Sequence, residues 1–149
     1  EKLIESFRKT LEEADTARKR LRTVIKALAP EVAKNVVGTA KQLGKVKLFS
    51  TYDEVLDEDY HIAVGERAIE KESSLVYCAL VQKGRAIRVI VFVGEQARAS
   101  GIRAGDLAKR VANMLGGSGG GDERFGQGGG RSVERLKEAL LIVEELVRK

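Results

Sequence analysis

From Ile4 the apolar positions run Ile4, Phe7, Leu11, Ala14, Leu21, Ile25 and Leu28 in alternating steps of three and four, with Arg18 standing where one more apolar residue belongs. Steps of this kind place one narrow apolar stripe along a helix of about 28 residues, and such a seam has to be covered by a partner helix. Pro30 lacks the N–H that would continue the ladder and is predicted to end this helix. A second amphipathic run, Val32, Ala33, Val36, Val37, Ala40 and Leu43, stops at Gly44, a C-cap candidate. Together the runs predict a helical hairpin over residues 1–45. Two short helices bury each other's stripes only in part. The seam Ile4, Phe7, Leu11, Ala14, Arg18, Leu21, Ile25 and Leu28 is therefore expected to dimerise with a second copy or to pack on other parts of a longer chain. Arg18 is costly in a dry seam. Either it meets Glu12, Glu13 or Asp15 of another chain and fixes register, or its stem packs while its head reaches water.

Beyond Gly44 the period shortens to that of strands. Residues 46–50 read as a strand, and a helix lies within residues 54–72 with Tyr60, Ala63, Ala68 and Ile69 as core positions. Residues 75–82 and 86–93 are rich in β-branched and aromatic side chains and turn on Lys83-Gly84-Arg85. A polar stretch around Ala97, a helix over residues 104–115, a glycine-rich loop over 116–130 and a final helix over 133–148 complete the chain. The fold class is α+β: a long N-terminal helical hairpin, then a small mixed α/β globular module over residues 46–149. Cys78 and Met114 are expected in the core and His61 at the surface. The last helix has its own stripe, Val133, Leu136, Leu140, Val143 and Val147, which covers the sheet or joins the dimer seam. Its flank of Glu134, Glu138, Glu144 and Glu145 argues against RNA along its length.

Charge sharpens this picture by its placement. The net charge is +5 over 149 residues, yet residues 1–49 alone hold 12 Lys/Arg against 6 Asp/Glu, so the excess basicity lies in the N-terminal third. A basic helical arm on a near-neutral body attracts a polyanion, or is simply a solvated face. One cysteine and one histidine exclude an internal disulfide and a zinc cluster, so no metal is expected in this segment. No run of apolar residues is long enough to span a membrane. The opening at Glu1, already in helical pattern without a signal peptide, reads as part of a longer protein.

Residues 116–130 hold 9 of the chain's 16 glycines. Clustered glycines let backbone amides converge on an anion, and Ser132 is placed to cap the following helix, whose N-terminus would face the same loop. A P-loop is excluded: Gly130 is followed by Arg131-Ser132, Phe125 replaces the first glycine, and a helix precedes the loop instead of a strand. A flexible linker is the plain alternative, but Arg124, Phe125 and Gln127 between two glycine clusters are poor linker composition.

The run Gly101-Ile102-Arg103-Ala104-Gly105-Asp106-Leu107 followed by residues 116–130 resembles the end of alanyl-tRNA synthetases. There a G-I-x-A-G-x-L helix leads into a multi-glycine loop finishing in Gln-Gly-Gly-Gly or Gln-Ala-Gly-Gly, as Gln127-Gly128-Gly129-Gly130 does in this chain. The resemblance covers residues 46–149, the DHH-associated domain also found in RecJ-like nucleases and related phosphoesterases. Where much of the family reads Arg-Pro-Asp in mid-loop, this chain has Asp122-Glu123-Arg124, closer to archaeal members.

The resemblance implies a cytoplasmic parent enzyme, an alanine–tRNA ligase. Its catalytic domain would use ATP and magnesium, its editing domain zinc, and a further domain would recognise tRNA, while this segment would carry no catalytic centre and no cofactor. The implied partners are alanine-accepting tRNA, a second copy, and the catalytic and editing domains of the same chain. Candidate phosphate contacts are Lys109, Arg110, Arg124 and Arg131, beside the amides of Gly119, Gly120, Gly121, Gly128, Gly129 and Gly130, with Gln127 a base or sugar contact. Phe125 anchors the loop to the core or stacks on a base. Along the arm Arg20, Arg22, Lys26, Lys34, Lys41 and Lys45 are candidates to follow the tRNA backbone. Two alternatives rank lower: the nucleic-acid- or nucleotide-binding domain of a DHH phosphoesterase, which usually has a shorter Gly-Gly-His motif and no basic arm, and a module for association only.

Overall fold

The computed structural model describes residues 1–148. Helix α1 (Lys2–Thr39) leads into strands β1 (Lys41–Leu43) and β2 (Val46–Asp53), then α2 (Glu58–Lys71), the β3–β4 hairpin (Leu75–Lys83, Ala86–Val93), α3 (Glu95–Ala99), α4 (Ala104–Met114), β5 (Ser118–Gly121), β6 (Phe125–Gly130), a 3-10 turn (Val133–Arg135) and α5 (Leu136–Arg148). The strands form one six-stranded sheet in the order β1-β2-β3-β4-β6-β5. Only β2 and β3 run parallel, joined by the α2 crossover; the other pairs are antiparallel. Helices cover both faces, which is why β3 is buried at Leu75 through Val81 and reads as a continuous apolar run. On one face Ala29, Ala33 and Val36 of α1 and Val64, Ala68 and Ile69 of α2 meet Tyr77, Ala79, Ile90 and Phe92. On the other, α4 and α5 bring Leu107, Val111, Leu136, Val143 and Val147 onto Val76, Cys78, Leu80, Val89 and Val91. The α5 stripe thus covers the sheet, while Met114 packs at the edge of the core.

Five expectations are corrected. The N-terminal hairpin is a single helix, because α1 runs through Pro30. Proline removes one hydrogen bond, to the carbonyl of exposed Lys26, which water can satisfy, and burial of Ala29, Ala33 and Val36 under the neighbouring elements holds the helix on either side. Leu43 consequently lies in β1. Gly44, with φ +64°, forms the two-residue turn between paired Leu43 and Val46 in place of a helix cap. The glycine-rich segment contains two paired strands, β5 and β6, where a loop was expected. Ser132 makes no side-chain cap bond, since the chain enters the last helix through the 3-10 turn. His61, expected at the surface, is only 2% exposed. Its Nε2 lies 2.9 Å from Asp53 Oδ2 and its Nδ1 2.7 Å from the Tyr77 hydroxyl.

Candidate nucleic-acid interface

The glycines of β5 and β6 solve a packing problem before they serve any ligand. A Cβ on Gly126 would fall 2.5 Å from the Ala104 carbonyl oxygen and 2.9 Å from Ala108 Cβ, and one on Gly128 would fall 2.9 Å from Ala112 Cβ. With hydrogen in those places, α4 lies directly on the two strands. The amides of Gly128 and Gly129 belong to the inner strand, held between β4 and β5, while Gly119, Gly120 and Gly121 form the sheet edge. The amide cradle expected there is therefore spent largely on the sheet ladder. The turn between the strands is closed from within. Asp122 Oδ1 accepts from the amides of Arg124 and Phe125, each at 2.8 Å, and these bonds hold its carboxyl below the usual range. The first amides of α4 are also occupied: Ala104 N–H donates to the Glu123 carbonyl at 3.0 Å and Gly105 N–H to that of Asp122 at 2.7 Å. Phe125 anchors the hairpin, its ring 4.7 Å from that of Phe92.

On the opposite face of these strands the chemistry is open to solvent. Gln127 pairs with Ile90 in register and so points to the α2 side, where it is exposed; Gly120 opposite it has open space above it. Arg88 belongs to the same surface. Its guanidinium lies beside Gly129 and pairs with Glu58 at 3.3 Å. Arg88 is not among the residues expected from the sequence, because it sits in an apolar strand; its one mark there is a lone charge inside the run from Ile87 to Val93.

The candidate cations divide into two groups. Three carry acidic partners: Arg22 with Asp59 (3.3 Å), Lys41 with Glu144 (2.7 Å) and Arg124 with Glu66 and Glu70 (3.7 and 3.9 Å). Arg20, Lys26, Lys34, Lys45, Lys109, Arg110 and Arg131 are exposed, and among the described residues none forms an ion pair. They do not share one face. Lys109 and Arg110 lie on α4, across the sheet from Gln127, whereas the α1 cations lie on the Gln127 side. Arg22 and Lys26 border a cleft of about 520 Å³ between α1 and α2.

Upstream, α1 leaves the body. Every described residue from 1 to 24 is exposed, and within the seam Ile4, Phe7, Leu11, Leu21 and Leu28 are 55–65% exposed while Ile25 is half-buried. Among the described residues no group of three or more His, Cys, Asp or Glu could hold a metal, Cys78 is buried, and both His61 nitrogens are engaged. Among the described residues no helix is long and apolar enough to cross a membrane.

Comparison with known proteins places this geometry. The alanine–tRNA ligase of Nitrosopumilus maritimus (strain SCM1) is 40% identical over 103 residues, which is 69% of this chain and 11% of that relative's length. The chain thus spans about a tenth of the length of this curated relative. The crystal structure of the C-Ala domain from Aquifex aeolicus alanyl-tRNA synthetase superposes with a TM-score of 0.67 at 20% identity, over 74% of this chain and 99% of that one. RecJ from Thermus thermophilus, in complex with Mn2+, shares the fold at a TM-score of 0.61 and 15% identity, over 87% of this chain and 18% of that one. The model of the DHHA1 domain family matches residues 46–149, and the chain belongs to that family.

Proposed function

We propose that this chain is the C-terminal module of an alanine–tRNA ligase, which binds alanine-accepting tRNA and holds two copies together. Charging with ATP and magnesium, and zinc-dependent editing, would be the work of other domains of the same protein. The observation that carries this reading is the projecting arm: exposed cations without acidic partners beside an apolar seam without cover. Free exposed cations are what phosphate contact requires, because a cation already held by a carboxylate must first give up that partner. The identity to an alanine–tRNA ligase supports the choice of ligand, whereas the likeness to RecJ is one of fold.

The test is titration of the chain with tRNA at two salt concentrations, with its mass recorded at the same protein concentrations. Binding should weaken with salt, and each phosphate contact should contribute about 0.7 to 0.9 to the log–log slope. Arg131→Ala and Lys26→Ala should each lower affinity and slope. Arg124→Ala should do less, since Glu66 and Glu70 already hold that guanidinium. Leu21→Asp should give a monomer that keeps its folded body. A dimer indifferent to RNA would reduce the function to association, and a monomer that binds tRNA would remove association from it.

A further inference from the structure

We infer that Lys83 and Arg85, on the turn between β3 and β4, form a phosphate-binding site that joins the cations of α1 to Arg131 as one track for an RNA backbone. This rests on the RNA binding proposed above and adds the part of the surface along which the strand runs.

The strand registers bring these groups to one end of the body. Lys83 pairs with Ala86 across the turn, and Ile87 pairs with Gly130, which Arg131 directly follows. The three cations therefore sit at the ends of three neighbouring strands, spread over about 10 Å at ordinary strand spacing. β2 and β3 run parallel, with Asp53 beside Val81, so the entry to α2 lies at this same end. There Glu58 reaches Arg88 and Asp59 reaches Arg22, each at 3.3 Å. Beyond Arg22, α1 packs along α2 and the sheet through Ala29, Ala33 and Val36; before it every residue is exposed. The free arm thus leaves past the start of α2, at the end that carries the turn. In the sheet order, β3 and β4 stand between β2, which α1 touches, and β6, which leads to Arg131. The turn fills the gap between two sets of free cations.

Lys83, Arg85 and Arg131 are exposed, and among the described residues none of the three forms an ion pair. The carboxylates between β2 and the first turn of α2 are already engaged: Asp53 with His61, Glu54 with the Tyr52 hydroxyl, Asp57 with the Tyr60 amide, Glu58 with Arg88 and Asp59 with Arg22. The turn is also braced. Gly84 takes φ +59°, its carbonyl accepts from Gln82 Nε2 at 2.8 Å, and Gln82 in turn meets the Tyr52 hydroxyl. A braced turn presents its cations at a smaller entropic cost than a mobile loop. A row of free cations on a rigid edge suits a polymer of regularly spaced negative charges, which is the nature of a nucleic-acid backbone. An anionic membrane suits it less. The exposed apolar pair at this end, Val55 and Leu56, is bracketed by Glu54 and Asp57, which such a surface repels.

Titration of the full chain with alanine-accepting tRNA over a range of salt tests the site. Neither Lys83 nor Arg85 forms a side-chain hydrogen bond or ion pair among the described residues, so replacing both leaves the body folded. Lys83→Ala combined with Arg85→Ala should weaken binding and lower the log–log salt slope by about 1.4 to 1.8, two phosphate contacts at about 0.7 to 0.9 each. Lys71→Ala, an exposed cation at the far end of α2, should leave both unchanged. The single native cysteine, Cys78, is buried, so an introduced cysteine can carry a photo-cross-linker by itself. Ala86→Cys, exposed beside the turn, should label the tRNA, and Lys71→Cys should not. Unchanged affinity and slope in the double variant, with no label from Ala86→Cys, would overturn the site while leaving RNA binding to the arm intact. No tRNA binding by the unsubstituted chain would overturn the reading on which the site rests. Binding to phosphatidylserine vesicles in place of tRNA, lost in the double variant, would assign the cluster to a membrane and overturn its role toward RNA.

Discussion

The Tyr77 hydroxyl lies beneath α2, where water cannot reach it, and its proton is bound tightly because burial pushes its ionisation well upward. Tyr77 therefore donates to His61 Nδ1, and the imidazole proton sits on Nε2, donating to the Asp53 carboxylate. Asp53 also accepts from the amides of Val55 and Leu56 at 2.9 and 3.0 Å, which fixes the turn into α2. Burial lowers the His61 pKa, and the hydrogen bond and charge of Asp53 with the charge of Asp57 offset this only in part. For Asp53 partial burial acts upward, but the two amide bonds and His61 outweigh it, so its pKa is also lowered. Both groups bind protons more weakly in the folded chain than in the unfolded one. Their contribution to stability is therefore complete above the ordinary histidine value of 6.5 and lost as pH falls through the folded values. Unfolding free energy from urea titrations should decline between pH 7 and pH 5. His61→Leu should lower stability at pH 7.5 by about 1–3 kcal/mol, by stranding the buried Tyr77 hydroxyl, and should flatten that decline. A slope unchanged by the substitution would remove His61 as its source.

The two glycine strands make a sharp contrast at the scale of the element. Gly126 touches α4 through its missing side chain, whereas Gly120 faces open space with an ordinary backbone. Gly126→Ala should destabilise the chain by about 1–3 kcal/mol in thermal or chemical denaturation, and Gly120→Ala should change it by less than about 0.5 kcal/mol. Equal effects would mean that α4 does not rest on these strands as described. Composition disclosed that residues 116–130 were unusual. It did not disclose that they pair, because a strand of glycines lacks the β-branched alternation by which strands are read. The β3–β4 hairpin is marked by β-branched and aromatic runs and α4 and α5 by a helical period; the limits of the hairpin and of α4 were legible to within a residue or two, while α5 begins three residues later than expected, after the 3-10 turn. Pro30 misled for the opposite reason: a local rule was clear, but burial of Ala29, Ala33 and Val36 overrode it. The seam was legible residue by residue. The triad of His61, Asp53 and Tyr77 was not, since its members meet only after α2 folds back over β3. The division of the candidate cations between two faces of the sheet likewise needed the sheet.

As a whole the molecule is a three-layer body with one long helix leaving it. Cations on both faces predict that RNA, if it reaches Lys109 and Lys26 together, passes around an edge of the sheet; Lys109→Ala and Lys26→Ala should then lower the salt slope additively, as distant independent contacts do. If RNA engages only the arm, Lys109→Ala should leave the slope unchanged. Between α1 and the sheet stands a single residue, Ala40, in extended conformation, and β1 is already bonded to β2 at Lys41. That join leaves no swivel. A helix of 38 residues is about 57 Å long, so a tilt of a few degrees at Ala40 sweeps the far tip through several ångströms. The arm acts as a pointer whose bearing is set by the packing of three small side chains, Ala29, Ala33 and Val36. A bulkier residue at any of them would re-aim everything attached to the tip, even with the sheet and every cation unchanged.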